Sequence, residues 1–194
     1  MDPEFIKGIP ARIKINFETI REFRKHFKNY LKVYIDETFK RYPTRVILKD
    51  ETKIDVNSYA HLTMIRLGIK FLDHDKDNDL TEFEANGKII KMIGLKYGGD
   101  LGVFQNASKL DVKDKVVVDI GANIGNSAIH FVNSGAKRVI AIEPDSFTYD
   151  LLRENVRINE MHSIVTPINE VVSDKNGYVK ISIFNGKQHW QKRD

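Results

Sequence analysis

The 194-residue chain predicts an α/β protein, a Rossmann-like, doubly wound, mostly parallel sheet with an N-terminal helix and β-hairpin extension. Three observations point there. From about residue 113, strand-like and helix-like runs alternate, the pattern of βαβ units. The first of these strands, VVVDI at 116–120, runs directly into a glycine turn, GANIG at 121–125, and then into a helical pattern. Upstream the periodicity is of another kind, a long amphipathic stripe followed by two alternating runs around Asn86-Gly87. An extension over 6–110 and a Rossmann-like domain over 111–194 are therefore expected.

Residues 1–5, MDPEF, match the translation of adjacent BamHI and EcoRI sites and read as vector-derived. No apolar h-region follows, so no signal peptide is expected. Residues 16–41 set Phe17, Ile20, Phe23, Phe27, Tyr30, Leu31 and Tyr34 at steps of three and four, the stripe of one helix. Asn16 is its expected N-cap and Arg41 closes its last turn ahead of Pro43. The opposite face, Arg21, Arg24, Lys25, Lys28 and Lys32, reads either as a solvated face or as a contact for nucleic acid or an acidic surface. TRVILKD at 44–50 reads as a strand, and Ser58 as the cap of a helix over 58–72. Asn86-Gly87 between alternating runs is a hairpin signal, with strands near 80–85 and 88–95. Gly94, Gly98, Gly99 and Gly102 mark the loop into the next unit. There, VVVDI reads as a buried strand, 126–134 as a helix, RVIAIEP as a second strand, 146–159 as a second helix and IVTPIN as a third strand. VKISIF, after Asn176-Gly177, reads as a strand in a further hairpin.

Apolar residues make up 41% of the chain, ordinary for a globular protein. The net charge of +4 is mildly basic and suits an anionic partner. The absence of cysteine excludes disulfides, thiolate metal sites and Cys nucleophiles. A cysteine-free, Ile- and Lys-rich chain is also thermophile-like. No apolar run is long enough to span a membrane, and a cytoplasmic protein is expected.

Chemistry concentrates where the first parallel strand ends. Asp119, Gly121 and Gly125 stand at its carboxyl end, where open α/β sheets bind ligands. The two glycines permit a tight turn and the close approach of a ligand to backbone. The helix from Asn126 aims free N–H groups and its positive dipole end at the same place. Glu143 closes the second strand, 24 residues after Asp119, where a carboxylate can accept from ribose hydroxyls. A nicotinamide site expects G-x-G-x-x-G, but this chain has D-x-G-x-x-x-G with Asn123 inside it. An acid beside the turn suits a cofactor with an ammonium group and repels a pyrophosphate. S-adenosyl-L-methionine is the expected cofactor. A tight turn that binds nothing is the bland alternative.

With these residues in view, the run from Val116 to Asn159 resembles motifs I and II of class I methyltransferases, and most of all the FkbM family. The resemblance rests on the DIGANIG turn (Asp119–Gly125), the Glu143-Pro144 pair closing the second strand, and an L..N...N helix with Leu152, Asn155 and Asn159. INEVVSDKNGYVKISIF fits that family's third strand and short hairpin, and the region before residue 113 resembles N-terminal extensions of archaeal members. The resemblance implies that Asp119, Gly121, Ala122, Asn123 and Gly125 cradle the methionine part of the cofactor. It implies that Glu143 holds the ribose, that Pro144 and Asp145 flank the adenosine, and that Glu170 lies near the adenine. It also implies O-methylation of a sugar or other small-molecule hydroxyl. The family's fourth strand does not follow, so the sheet is expected to be truncated at its C-terminal side, with an exposed edge that favours a homodimer. No catalytic base stands out. His130 reads as packed, and His189 and Trp190 as part of a solvated basic tail.

Other readings stay open. Some tRNA guanine methyltransferases have a similar AIE.....Y..L.EN...N run, and the basic first helix suits RNA; the Asn176-Gly177 hairpin speaks against this. The missing strands suggest a non-catalytic cofactor-binding or assembly module. Finally, DHDKDNDLTEFE sets Asp73, Asp75, Asp77, Asp79, Thr81 and Glu84 on the ligand positions of an EF-hand calcium loop. Asn78 replaces the usual glycine and Asn86-Gly87 interrupts the exit helix, so this is read as an acidic loop before a hairpin, with no metal expected.

Overall fold

The computed structural model describes residues 16–97, 101–104, 110–175, 177, 180–184 and 187–191, the last two stretches as backbone only. MDPEF, Gly98, Gly99 and Asn176 lie outside the described residues. The chain divides into two compact units, Met1–Gly68 and Ile69–Asp194. The hairpin around Asn86-Gly87 lies in the second of these units, with the parallel sheet.

In the first unit the amphipathic stripe forms two helices instead of one, α1 (Phe17–His26) and α2 (Tyr30–Thr38). Asn16 caps α1 as expected, accepting from Thr19 N–H at 3.0 Å. The break has a tertiary cause. Phe27 leaves the helical region (φ −116°, ψ 139°) and bridges to Leu48. Lys28 N–H then donates to Ile47 C=O at 2.7 Å, and Asn29 Oδ1 accepts Ile47 N–H at 2.9 Å. These bonds complete the edge of β1 (Thr44–Ile47), which pairs antiparallel with β2 (Lys53–Val56). Ser58 caps α3 (Tyr59–Arg66), which ends before Gly68 at φ 71°. Ile20, Phe23, Phe27, Val46, Val56 and Leu62 belong to one buried core. On the basic face, Lys25, Lys28 and Lys32 are paired with Glu22, Glu51 and Asp36.

The second unit opens with an antiparallel meander of β3 (Lys70–Asp75), β4 (Leu80–Ala85) and β5 (Lys88–Ile93). Residues 70–72, expected to be helical, are strand. Asn86 and Gly87 have φ 53° and 74°, the left-handed pair that a two-residue hairpin turn requires. β3 also makes the acidic run a hairpin and not a helix–loop–helix. Asp75 accepts Asp77 N–H at 2.9 Å, Asp79 pairs with Lys96 at 3.3 Å, and Glu84 pairs across the strands with Lys70 at 3.1 Å. Among the described residues no three His, Asp or Glu side chains are grouped to hold a metal ion.

As expected, a parallel sheet follows: β6 (Val116–Ile120), β7 (Arg138–Ile142) and β8 (Val165–Ile168), in the order β6-β7-β8. Its crossovers are α4 (Asn126–Asn133) and α5 (Ser146–Ile158). On one face Val139, Ala141 and Val165 pack with Ala128, Leu152 and Val156. On the other, Val116, Val118 and Ile120 are 59%, 55% and 63% exposed. VVVDI is therefore not the buried strand its composition predicts. Alternation sends these three side chains to one face, and among the described residues nothing covers them, although parallel sheets are ordinarily covered on both sides. Downstream, β9 (Lys180–Phe184) pairs antiparallel with β10 (Lys187–Gln191). The partner of the VKISIF strand is thus the segment holding His189 and Trp190, read from sequence as a solvated tail.

Two asparagines bind α5 to the meander. Asn155 accepts Ile93 N–H at 2.7 Å and donates to Ile93 C=O at 3.0 Å and Ile124 C=O at 2.8 Å. Asn159 accepts Lys91 N–H at 3.0 Å and donates to Lys91 C=O at 2.6 Å. Helix residues four apart advance about 6 Å and strand residues two apart about 6.8 Å. The two amides therefore match the spacing of the outer edge of β5 and stand in for a neighbouring strand.

Candidate functional site

The turn between β6 and α4 is fastened to β7 by backbone. Gly121 and Ala122 N–H both donate to Ile142 C=O, at 2.9 and 3.0 Å, and Gly125 N–H donates to Ala122 C=O at 2.9 Å. Gly121, Asn123 and Gly125 have φ 79°, 50° and 96°. A Cβ on Gly125 would lie 2.8 Å from Leu152 Cδ1, so glycine serves both the backbone and the close packing of α5. A Cβ on Gly121 would meet nothing within 4 Å, so open space lies over the first glycine.

The acids divide in their duties. Asp119, partly buried, accepts from Ser127 Oγ at 2.6 Å. Burial pushes its carboxyl above the usual range, the Ser127 bond opposes this, and the Glu143 charge adds to it. Glu143 is buried and accepts three bonds, from Asn123 N–H at 2.8 Å, Asp145 N–H at 2.9 Å and Thr148 Oγ at 3.1 Å. It staples the glycine turn to the start of α5. A carboxylate has about four acceptor positions, so about one is left. Asp145 is the N-cap of α5, accepting Thr148 N–H at 2.8 Å. Asn169, just past β8, donates to Glu143 C=O and Pro144 C=O at 2.8 and 3.1 Å. Asp119, Gly121, Ala122, Asn123, Gly125, Glu143, Pro144 and Asp145 are thus gathered around one turn. Glu170 is exposed, and its neighbour Asn169 pins the Glu143-Pro144 pair.

Sequence reasoning missed Asn169 and Asn126. Asn126, the first residue of α4, is 4% exposed, and neither its Oδ1 nor its Nδ2 has a hydrogen-bond partner. Leaving such an atom unpaired costs about 1–3 kcal/mol. Its only trace in the sequence is a polar residue directly after the second glycine. His130, in the same helix, is buried with its ring 6.2 Å from that of Phe104, and burial lowers its pKa. It is a packed residue, as read from sequence. No described helix is long and apolar enough to cross a membrane.

Residues 105–182 match the TRM5/TYW2 methyltransferase domain. The chain is 42% identical over 65 residues to an uncharacterized protein of Methanocaldococcus jannaschii, covering 33% of this chain and 25% of that one. It is 34% identical over 62 residues to the tRNA(Phe) (4-demethylwyosine(37)-C(7)) aminocarboxypropyltransferase of Pyrococcus horikoshii, covering 32% of this chain and 22% of that one. Among solved structures it is similar to P. horikoshii TYW2 in complex with MeSAdo, at 26% identity and a TM-score of 0.41, covering 61% of this chain and 48% of that one. The chain spans 22% to 31% of the length of the curated relatives it matches.

These matches overturn the FkbM resemblance, because the matching domain is of a different family. The residues that carried the resemblance explain the error. The glycines, Glu143, Asn155 and Asn159 hold the turn, α5 and β5 together, which is work for the fold and does not separate one methyltransferase family from another. The expected α/β methyltransferase type and S-adenosylmethionine as its cofactor agree with the match. The sugar acceptor and the homodimer find no support in it.

Proposed function

We infer that the chain carries the cofactor-binding part of an S-adenosylmethionine-dependent methyltransferase that acts on RNA, with tRNA as the first substrate to try. The observation that carries this reading is the match of residues 105–182, which contain the whole glycine turn, to the TRM5/TYW2 methyltransferase domain. An RNA acceptor is supported by the tRNA(Phe)-modifying relative and by an excess of 31 Lys and Arg over 27 Asp and Glu. It is also supported by an exposed pair of rings, Tyr97 and Phe147, with centroids 4.9 Å apart. Exposed aromatic rings are what proteins use to stack unpaired bases.

In this reading the space over Gly121 admits the amino-acid part of the cofactor, and Asp119 faces its ammonium group. The remaining acceptor position of Glu143 takes a ribose hydroxyl. Pro144 and Asp145 border the adenosine, with Asn169 and Glu170 at its outer side. Bound S-adenosylmethionine supplies an electrophilic carbon on a sulfonium; the chain's own residues orient it, and among the described residues the Ser127 hydroxyl is the one neighbour that favours the ionised form of Asp119. A second reading has a specific support, because the Pyrococcus relative is named for aminocarboxypropyl transfer. Incubation of tRNA with cofactor labelled either in the methyl group or in the carboxyl group separates the two. Methyl label in the RNA supports the first reading and carboxyl label alone supports the second. Label in neither rules out RNA modification by this chain.

A further inference from the structure

We propose that the first unit carries a docking surface for the phosphodiester backbone of RNA, formed by His26, Lys49 and Arg66. The choice of RNA over other polyanions rests on the proposed function. The surface has its own footing in the distribution of charge. Residues 1–68 hold 14 Lys and Arg against 9 Asp and Glu, whereas residues 69–194 hold 17 against 18. The positive excess of the chain therefore lies wholly in the unit that does not contain the glycine turn. Positive charge gathered on one part of a protein is the electrostatic footprint of nucleic-acid binding.

The fold then selects among these cations. The face of α1 that the sequence singles out is partly neutralised, because Lys25, Lys28 and Lys32 are paired with Glu22, Glu51 and Asp36. Three other cationic residues, distant in sequence, come together instead. His26 ends α1, Lys49 lies two residues past β1 and Arg66 ends α3. They meet around Phe23 and Phe27, two fully buried rings packed edge to face at 5.6 Å. The Arg66 guanidinium lies 5.6 Å from the Phe23 ring centre and donates to Tyr59 Oη at 3.3 Å. Lys49 Nζ donates to Phe27 C=O at 3.4 Å, and the His26 ring stands 6.2 Å from that of Phe27. Burial, then the charges of Arg66, Lys25 and Lys49, hold the His26 pKa below its ordinary value, with Glu22 opposing them.

Helix dipoles explain why a cation sits at the end of α1 or of α3. They do not explain why Lys49 joins the other two, since like charges repel. Among the described residues no carboxylate pairs with Lys49 or Arg66, and Arg66 Nε is buried with no partner. The acids beside Lys49 are engaged elsewhere: Asp50 accepts Thr52 N–H at 3.0 Å and Glu51 holds Lys28. Packing on Phe23 and the bond to Tyr59 fix the plane of the guanidinium, which leaves a preset fork for a phosphate. A nucleic-acid backbone supplies such anions in a row, and contacts to it need read no base.

The test measures binding of fluorescently labelled tRNA to the full chain by anisotropy, from about 50 to 200 mM salt. Lys49→Gln with Arg66→Gln should weaken binding roughly ten- to a hundredfold. The slope of log affinity against log salt should become shallower by about two, one for each phosphate contact removed. Lys137→Gln with Lys175→Gln, which removes two exposed cations from the second unit, should change neither. If the double variant does not fold, Lys49→Gln alone, at an exposed side chain, gives the same comparison with a slope change of about one. Wild-type affinity in the double variant, or an equal loss in the control pair, would overturn the surface. Binding to phosphatidylserine vesicles with none to tRNA would overturn RNA as the partner. If tRNA binds through these residues but takes up no label from the cofactor, the enzyme reading fails and the docking surface stands.

Discussion

Asn155 in α5 and Asn126 at the start of α4 are both shut away from water, yet the first makes three hydrogen bonds and the second makes none. The two acids of the same region repeat the contrast. Glu143 is held by three donors, and Asp119 has the hydroxyl of Ser127. One half of the region is closed, its polar atoms serving each other and holding β5, the glycine turn and α5 in place. The other half keeps a buried amide without a partner at the start of α4, and open space over Gly121. Burial of a polar group is disfavoured unless a partner is found. The closed half finds its partners within the chain; the open half is where a bound ligand has most to gain.

The comparison can be broken most forcefully at Asn155. Asn155→Ala leaves both backbone groups of Ile93 and the Ile124 carbonyl without this partner, and should lower unfolding stability by about 3–4 kcal/mol in urea titrations. A loss under about 1 kcal/mol would show that the asparagine clasp is not what joins α5 to β5. Glu143→Ala should cost about 2–3 kcal/mol, because the N–H groups of Asn123 and Asp145 lose their acceptor. Unchanged stability with weakened S-adenosylhomocysteine binding would make Glu143 a ribose ligand first and a staple second. Gly125→Ala combines a left-handed backbone with a contact to Leu152, and about 1–3 kcal/mol is expected from thermal unfolding.

The smallest expected effect concerns pH. Burial raises the Asp119 pKa above the usual 3.8, so the folded chain keeps this proton to higher pH than the unfolded chain does. The associated stability is present in full below 3.8 and is lost as pH rises through the raised value. A bound ammonium reverses that preference, because it favours the ionised acid. S-adenosylhomocysteine affinity should therefore fall on acidification through the same range, and Asp119→Asn should flatten the profile. A wild-type profile that is already flat there would remove Asp119 from the site.

Much of the local structure was legible in the chain itself. The caps at Asn16 and Ser58, the left-handed Asn86-Gly87 turn and the strand–turn–helix order around the glycines depend on dihedral preferences and periodicities of adjacent residues. Such properties travel with the sequence. The four-residue spacing of Asn155 and Asn159 was legible as a pattern, but read as a family signature when it is a match between helix rise and strand rise. What the tertiary structure decided are the outcomes that depend on distant partners. Phe27 leaves its helix because Leu48, the residue after β1, offers a bridge. VVVDI has one exposed face because, among the described residues, no element packs over Val116, Val118 and Ile120. Glu143 became a staple because Asn123, 20 residues away, presents its N–H there, and Asn155 finds Ile93 across 62 residues. Whether a buried amide ends up satisfied or vacant is settled by which backbone groups folding brings beside it, and no local stretch of sequence contains that information.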